Sequence, residues 1–326
     1  MSCRLERWLL SLLLILTGCA PLKTHIDYER GLIAFQRGLY GEAEVHLQSA
    51  LQQRPTDEKS LSLQGWVFFK TGLMEEAEKY FESANRINPE NIGALEGLAW
   101  IYYAKGLNEA SENKFRKMIN YAEKHFGNPY WSEYPFADRQ HIHSVHSIAS
   151  YGLGLIAKRM ERLEQARKYL EAAINQPNQF IDPEEMRSHL AETLFGLKEY
   201  RLALPHYQKL LYGKEAGLSL LNRYAWCLYQ TGKAEEAKTV FLRAKSLLSS
   251  DVERYRGSST VQNMTEKLIA KRMAETYYGL ALIHAKEGNV HEGMKELSFA
   301  LSLSPFFHAP DELLKVFGTI PQSLEK

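Results

Sequence analysis

The 326 residues are 45% hydrophobic and 11% aromatic, with 40 basic residues against 39 acidic ones. That apolar content is ample for a sizeable core. The near-zero net charge removes the electrostatic case for nucleic acid, whose phosphates are held by clustered basic residues.

The chain begins with a basic segment, Arg4 and Arg7, followed by the apolar run Trp8 to Leu16 and then Thr17-Gly18-Cys19-Ala20. A basic start, a short apolar stretch and small residues before a cut site describe a secretory signal peptide. The apolar run is too short to span a bilayer, which takes about 20 helical residues. Leu16-Thr17-Gly18-Cys19 resembles a bacterial lipobox. The resemblance implies cleavage after residue 18 and lipid on Cys19, with residues 19–23 as a tether. A residue other than aspartate after the cysteine, here Ala20, implies an outer-membrane anchor facing the periplasm. Cys3 would leave with the leader and Cys19 would carry lipid, so Cys227 remains alone and no disulfide framework is expected. Its helical setting, Tyr224 to Leu228, reads as a small buried hydrophobe.

Residues 59–89 then set a pattern of two amphipathic helices around a turn at Thr71-Gly72. Gly65, Ala77 and Ala84 are small where the helices must approach, Phe81 is large between them, and Pro89 stops the second helix. Shifted back by 34 residues, the same pattern gives Gly31, Gly38, Ala43, Leu47, Ala50 and Pro55. On these residues and this period the chain resembles the tetratricopeptide repeat (TPR) family. The resemblance implies an all-α fold, a right-handed α-solenoid of about seven helix-turn-helix repeats with a C-terminal capping helix.

Repeats 1–3 are assigned to residues 24–122, repeats 4–6 to 147–248 and repeat 7 to 274–307, with a cap at 308–326. Ser111 and Met118 stand where alanines are expected in the third repeat, and Pro205 is expected to kink or shorten the second helix of the fifth. Two interruptions separate these blocks. Residues 123–146 read as a loop punctuated by Gly127, Pro129 and Pro135 and rich in rings, notably Tyr130, Trp131 and Tyr134. Those rings either pack over neighbouring repeats or form a secondary binding site. Residues 249–273 read as a lengthened first helix or an extra one.

In the TPR family the first helix of each repeat lines a groove, and positions 9 and 12 of the window point into it. Here position 9 supplies Trp66, Trp100 and Trp226, and position 12 supplies Phe35, Phe69, Tyr103, Phe195 and Tyr229. Residues three apart share a helix face, so Trp66/Phe69, Trp100/Tyr103 and Trp226/Tyr229 are expected to stack in pairs. Two readings of this row stand: an exposed partner-binding surface, or rings partly buried between successive helices. The Lys/Asn pattern of TPR grooves that grip peptide C-termini is missing, since the matching positions hold Tyr28, Leu32, Ser62, Trp66, Glu96 and Trp100. An aromatic groove suits an extended peptide or, alternatively, a glycan guided toward export.

His141, His143 and His146, with His125 upstream, have ligand-like spacing. No partnering Cys or zincin Glu accompanies them. No metal and no cofactor are expected, and neither a nucleophile elbow nor a phosphate loop appears. The sequence reads as a non-enzymatic scaffold, tied to the membrane by lipid and holding a protein partner in a cell-envelope assembly.

Overall fold

The computed structural model describes residues 23–178, 180–213, 217–248 and 264–303. The expected signal peptide, Cys19, most of the tether, the start of the second interruption and the C-terminal cap lie outside the described residues. Among the described residues the protein is all-helical, in two compact units divided between Asp182 and Pro183.

The amino-terminal unit pairs α1 (23–36) with α2 (Tyr40–Gln53), α3 (Glu58–Lys70) with α4 (Met74–Ile87), α5 (Ile92–Ala104) with α6 (Asn108–Phe126), and α7 (Phe136–Arg159) with α8 (Leu163–Ile174). The carboxy-terminal unit pairs α9 (Pro183–Gly196) with α10 (Tyr200–Leu211), α11 (Leu218–Gln230) with α12 (Ala234–Ser246), and α13 (Met264–Lys286) with α14 (Val290–Leu303).

Local chemistry sets the ends of these helices. Asp57 caps α3 by accepting from Ser60 N at 2.9 Å, and Asn91 caps α5 by accepting from Ala94 N at 2.9 Å. Pro55 and Pro89 follow the C-cap residues Arg54 and Asn88. The turns within pairs need a left-handed residue. Gly38, Gly72, Gly106, Gly232 and Gly288 supply it with φ of 75–86°. Repeats four and five use Glu161 (φ 56°) and Lys198 (φ 61°) in the same place, at a steric cost that glycine avoids. The next amide still closes the turn there, Arg162 N to Ala157 O and Glu199 N to Leu194 O, both at 2.9 Å.

The core follows the small-large alternation. Ala43, Ala50, Ala77, Ala84, Ala166, Ala173, Ala237 and Ala244 are fully buried, and so are Leu47, Phe81, Phe115, Leu170 and Phe241. Ser111, an irregularity in sequence, is accommodated because its hydroxyl donates to Ala99 O at 2.8 Å in the buried interior. Met118 is fully buried as a gap-filler.

Glycines on the first helices give the large rings their room. A Cβ on Gly65 would fall 2.7 Å from Phe81, and one on Gly97 only 2.3 Å from the opposite edge of the same ring. Gly152 stands likewise 2.3 Å from Phe115, and Gly279 2.3 Å from Phe241. A ring from one repeat's second helix therefore seats in the backbone of the following repeat's first helix.

One expectation changes, and two others take a definite form. Residues 123–146 are not a loop throughout: α6 runs to Phe126 and α7 begins at Phe136, so the break is confined to 127–135 and holds one 3-10 turn, Trp131–Glu133. The apolar spacing of Ala122, Ile142, Val145 and Ala149, all buried, extends the flanking helices into it. The helical part of the second interruption joins repeat seven as one continuous helix, α13. Pro205 lies inside α10, which continues through it.

Candidate functional site

Each tryptophan of the expected groove is half-buried, and its partner is the seated phenylalanine of its own repeat. Trp66 meets Phe81 at a 5.4 Å centroid distance, Trp100 meets Phe115 at 5.0 Å, and Trp226 meets Phe241 at 5.5 Å, all edge to face. The pairs along the first helices form as well, Trp66–Phe69, Trp100–Tyr103 and Trp226–Tyr229, with interplanar angles of 71°, 88° and 83°. They are edge-to-face contacts, which the ring quadrupole favours, and not the stacked pairs expected.

Three of the position-12 rings lie under cations. The Arg159 guanidinium lies 3.6 Å above Tyr103 and donates through Nη1 to Tyr103 O at 2.7 Å. Arg223 lies 4.3 Å over Phe195, whose ring also meets Tyr200 and Tyr207. Lys286 lies 4.3 Å over Tyr229. Tyr229, only 8% exposed and covered by Lys286, is a core ring and not a groove face. Phe35 is half-buried against Tyr40.

The face of α3 and α5 holds the densest polar chemistry. Trp66 Nε1–H donates to Gly93 O at 3.2 Å, which lays the indole against α5. A Cβ on Gly93 would collide with Ser62 Oγ at 2.6 Å. One turn farther along α5 stands Glu96, near the Trp100 indole. Burial pushes its carboxyl up to about 7, against the opposing pull of the Trp100 indole and of Lys70.

In the 127–135 segment Trp131 packs on Phe126 (5.1 Å), Tyr134 (5.4 Å) and His143 (5.6 Å). Tyr134 is fixed by Asn128 Nδ2 donating to its hydroxyl at 2.9 Å. Tyr130 stays outside, 64% exposed. His125, His143 and His146 are ring partners in this cluster, and His141 is exposed. His143 Nδ1 lies 2.6 Å from Gln176 Oε1, an oxygen that can only accept, so the proton sits on Nδ1. His146 packs on Phe126, and burial pushes its imidazole below the usual range. Among the described residues no group of three His, Cys, Asp or Glu could hold a metal ion, and no helix is long and apolar enough to cross a membrane. Cys227 is fully buried, and burial pushes its thiol up to about 12, so it is inert at neutral pH.

Residues 28–92 and 149–179 each match a family model described as tetratricopeptide repeat. No curated protein matches the chain. Many solved structures match the chain, and two illustrate the shared fold. One is PilF of Pseudomonas aeruginosa, 19% identical over 72% of this chain and 96% of that one, with a TM-score of 0.53. The other is PilW, described as a widely conserved type IV pilus biogenesis factor, 15% identical over 70% of this chain and 94% of that one, with a TM-score of 0.50. A tetratricopeptide repeat protein from Parabacteroides merdae, 17% identical, covers 91% of this chain and 99% of its own, with a TM-score of 0.46. Residues 28–92 and 149–179 are thus tetratricopeptide repeats, and the described residues form an all-α fold of the α-solenoid class.

Proposed function

We propose that this chain is a non-enzymatic scaffold that holds a protein partner against the aromatic face of its first helices. Lipid on Cys19 would fix it to the outer membrane, facing the periplasm. The observation that carries the reading is the recurrence of a half-buried indole at one repeat position on the adjacent helices α3 and α5, backed by a rigid Phe-in-Gly core. A surface held in place from beneath loses little entropy when it binds. PilW's description as a pilus biogenesis factor makes a surface-fibre assembly one concrete setting. Each indole is half-buried and packed against a phenylalanine, which favours a peptide over a sugar in need of an open stacking platform.

The test is capture from bacterial membranes through a carboxy-terminal tag, identified by mass spectrometry. Trp66→Leu with Trp100→Leu keeps apolar contact to Phe81 and Phe115 while removing the indoles. Capture should fall at least tenfold with the helical melt retained, and undiminished capture removes the groove. Cys19→Ser should release the protein from membranes; a variant that stays bound removes the lipid anchor.

A further inference from the structure

We propose that the tip joining α6 to α7, residues 127–136, is a second membrane contact that seats Tyr130 and Phe136 at the headgroup level of a lipid bilayer. The proposal rests on the lipid anchor at Cys19 given above and adds which edge of the amino-terminal unit faces the membrane.

Helices α6 and α7 outgrow their neighbours at one end. Arg159 lies over Tyr103, so α5 and α7 run parallel and meet near their C-terminal ends. α7 has 24 residues against 13 in α5, and the surplus is N-terminal. At 1.5 Å per residue it carries α7 about 16 Å past the start of α5. α6 returns antiparallel to α5 and has 19 residues against 14 in α4, so its surplus runs out beside that extension. Phe126 meets His143 and His146, which joins the two surpluses into one spur.

The end of the spur is a set surface. Trp131 packs on Phe126 and His143, whereas Tyr130 and Phe136 stand 64% and 69% exposed. The amides of Tyr130, Trp131, Glu133 and Tyr134 donate to Asn128 Oδ1, Asn128 O, Tyr130 O and Trp131 O at 2.9–3.3 Å. Pro129 and Pro135 have no amide hydrogen to satisfy. Backbone bonded within itself leaves water easily, and tyrosine is a ring of the membrane–water boundary. Glu133 alone is charged within residues 127–136, so the contact rests on rings and not on charge.

A bilayer is the occupant because of where the chain enters. The first turns of α1 and α3 line one cavity, with Thr24 and His25 beside Asp57 and Glu58, and Asn91 Nδ2 donates to Glu58 O at 3.4 Å. The starts of α1, α3 and α5 therefore share the edge from which the spur projects. α1 begins at residue 23, and the four residues from Cys19 reach at most about 14 Å. Lipid on Cys19 would hold this edge within that distance of the bilayer, and the spur spans it.

The experiment reconstitutes the full chain, purified from bacterial membranes, into phosphatidylcholine vesicles. One environment-sensitive fluorophore is placed on Ser132→Cys at the tip or on Glu75→Cys at the opposite edge, both exposed; Cys227, buried, stays unlabelled. Headgroup nitroxide lipids should quench the tip probe and spare the Glu75 probe, with no gain from anionic lipid and no loss in added salt. Tyr130→Ser with Phe136→Ser should cut tip quenching at least threefold while the helical melt and vesicle flotation persist. An unquenched tip on protein that floats overturns the proposal and leaves the lipid anchor standing. Equal quenching at both probes overturns it too, as does a tip shielded only in the captured complex, which would assign the spur to the protein partner. If Cys19→Ser protein still floats, and sinks only with the paired serines, the spur stands and the lipid anchor falls.

Discussion

Replacing Gly97 with alanine tests the joint between the second and third repeats. The new methyl would sit 2.3 Å from Phe81 Cε2 and Cζ, and Phe81 cannot retreat because Gly65 already lies against the other edge of its ring. Overpacking of this kind costs about 1–3 kcal/mol. Alanine in place of mid-helix glycine returns about 1 kcal/mol of helix propensity. The net expectation is a loss of up to about 2 kcal/mol, the steric term offsetting or outweighing the propensity term. With Phe81→Leu as background the collision vanishes, and Gly97→Ala should become neutral or stabilising by up to about 1 kcal/mol. The two substitutions should therefore couple by about 1–3 kcal/mol in a double-mutant cycle. Urea unfolding followed by circular dichroism gives the totals. Hydrogen exchange of α4 and α5 localises them, because repeat arrays need not unfold in a single step. The same effect of Gly97→Ala in both backgrounds, within about 0.5 kcal/mol, would refute the steric argument.

Glu96→Gln should raise the melting temperature at pH 8 and leave it nearly unchanged below pH 4.5. The folded carboxyl titrates at about 7 instead of 4.5, so ionising it opposes folding increasingly as pH rises through that window; an equal shift at both pH values would contradict it. Lys198→Gly and Glu161→Gly should each stabilise by about 1 kcal/mol by relieving a left-handed backbone, read as a higher urea midpoint. Thr276→Val should cost about 1–3 kcal/mol in thermal or urea unfolding, because it strips the donor from the buried Asn222 Oδ1 that Thr276 Oγ1 serves at 2.8 Å, and serine should restore it. Cys227 in the folded protein should react with an aromatic disulfide at pH 8 about a thousandfold more slowly than a free thiol, and at the ordinary rate in guanidinium.

The helical pairing was readable because it rests on residue size at fixed spacing, and Ala77, Phe81 and Ala84 announce it without help from the rest of the chain. The break at 127–135 was overextended because Gly127, Pro129 and Pro135 stop helices while saying nothing of how far the flanking ones reach; buried Ala122 and Ile142 decide that. The depth of the tryptophans was undecided because one helix cannot show what lies beneath it. A pattern in the chain does carry it: each is followed fifteen residues later by Phe81, Phe115 or Phe241, whereas Leu32 and Leu155 are followed at that distance by Leu47 and Leu170. The cradle glycines Gly97, Gly152 and Gly279 appear only where the preceding repeat ends in one of those rings. The contact of Trp66 with α5 depends on Gly93, whose meaning emerges only when two repeats are set side by side.

The seating of a phenylalanine in its successor's backbone makes neighbouring modules non-interchangeable. Removing the segment from Glu58 to Asn91, a full period, would bring the slim Leu47 to the vacancy at Gly97 and leave a void in place of a fit. Lengthening or shortening this array by gene duplication must therefore cut where a wide ring meets an empty backbone on both new boundaries, so the lineage of the repeats is constrained at their seams more than in their interiors.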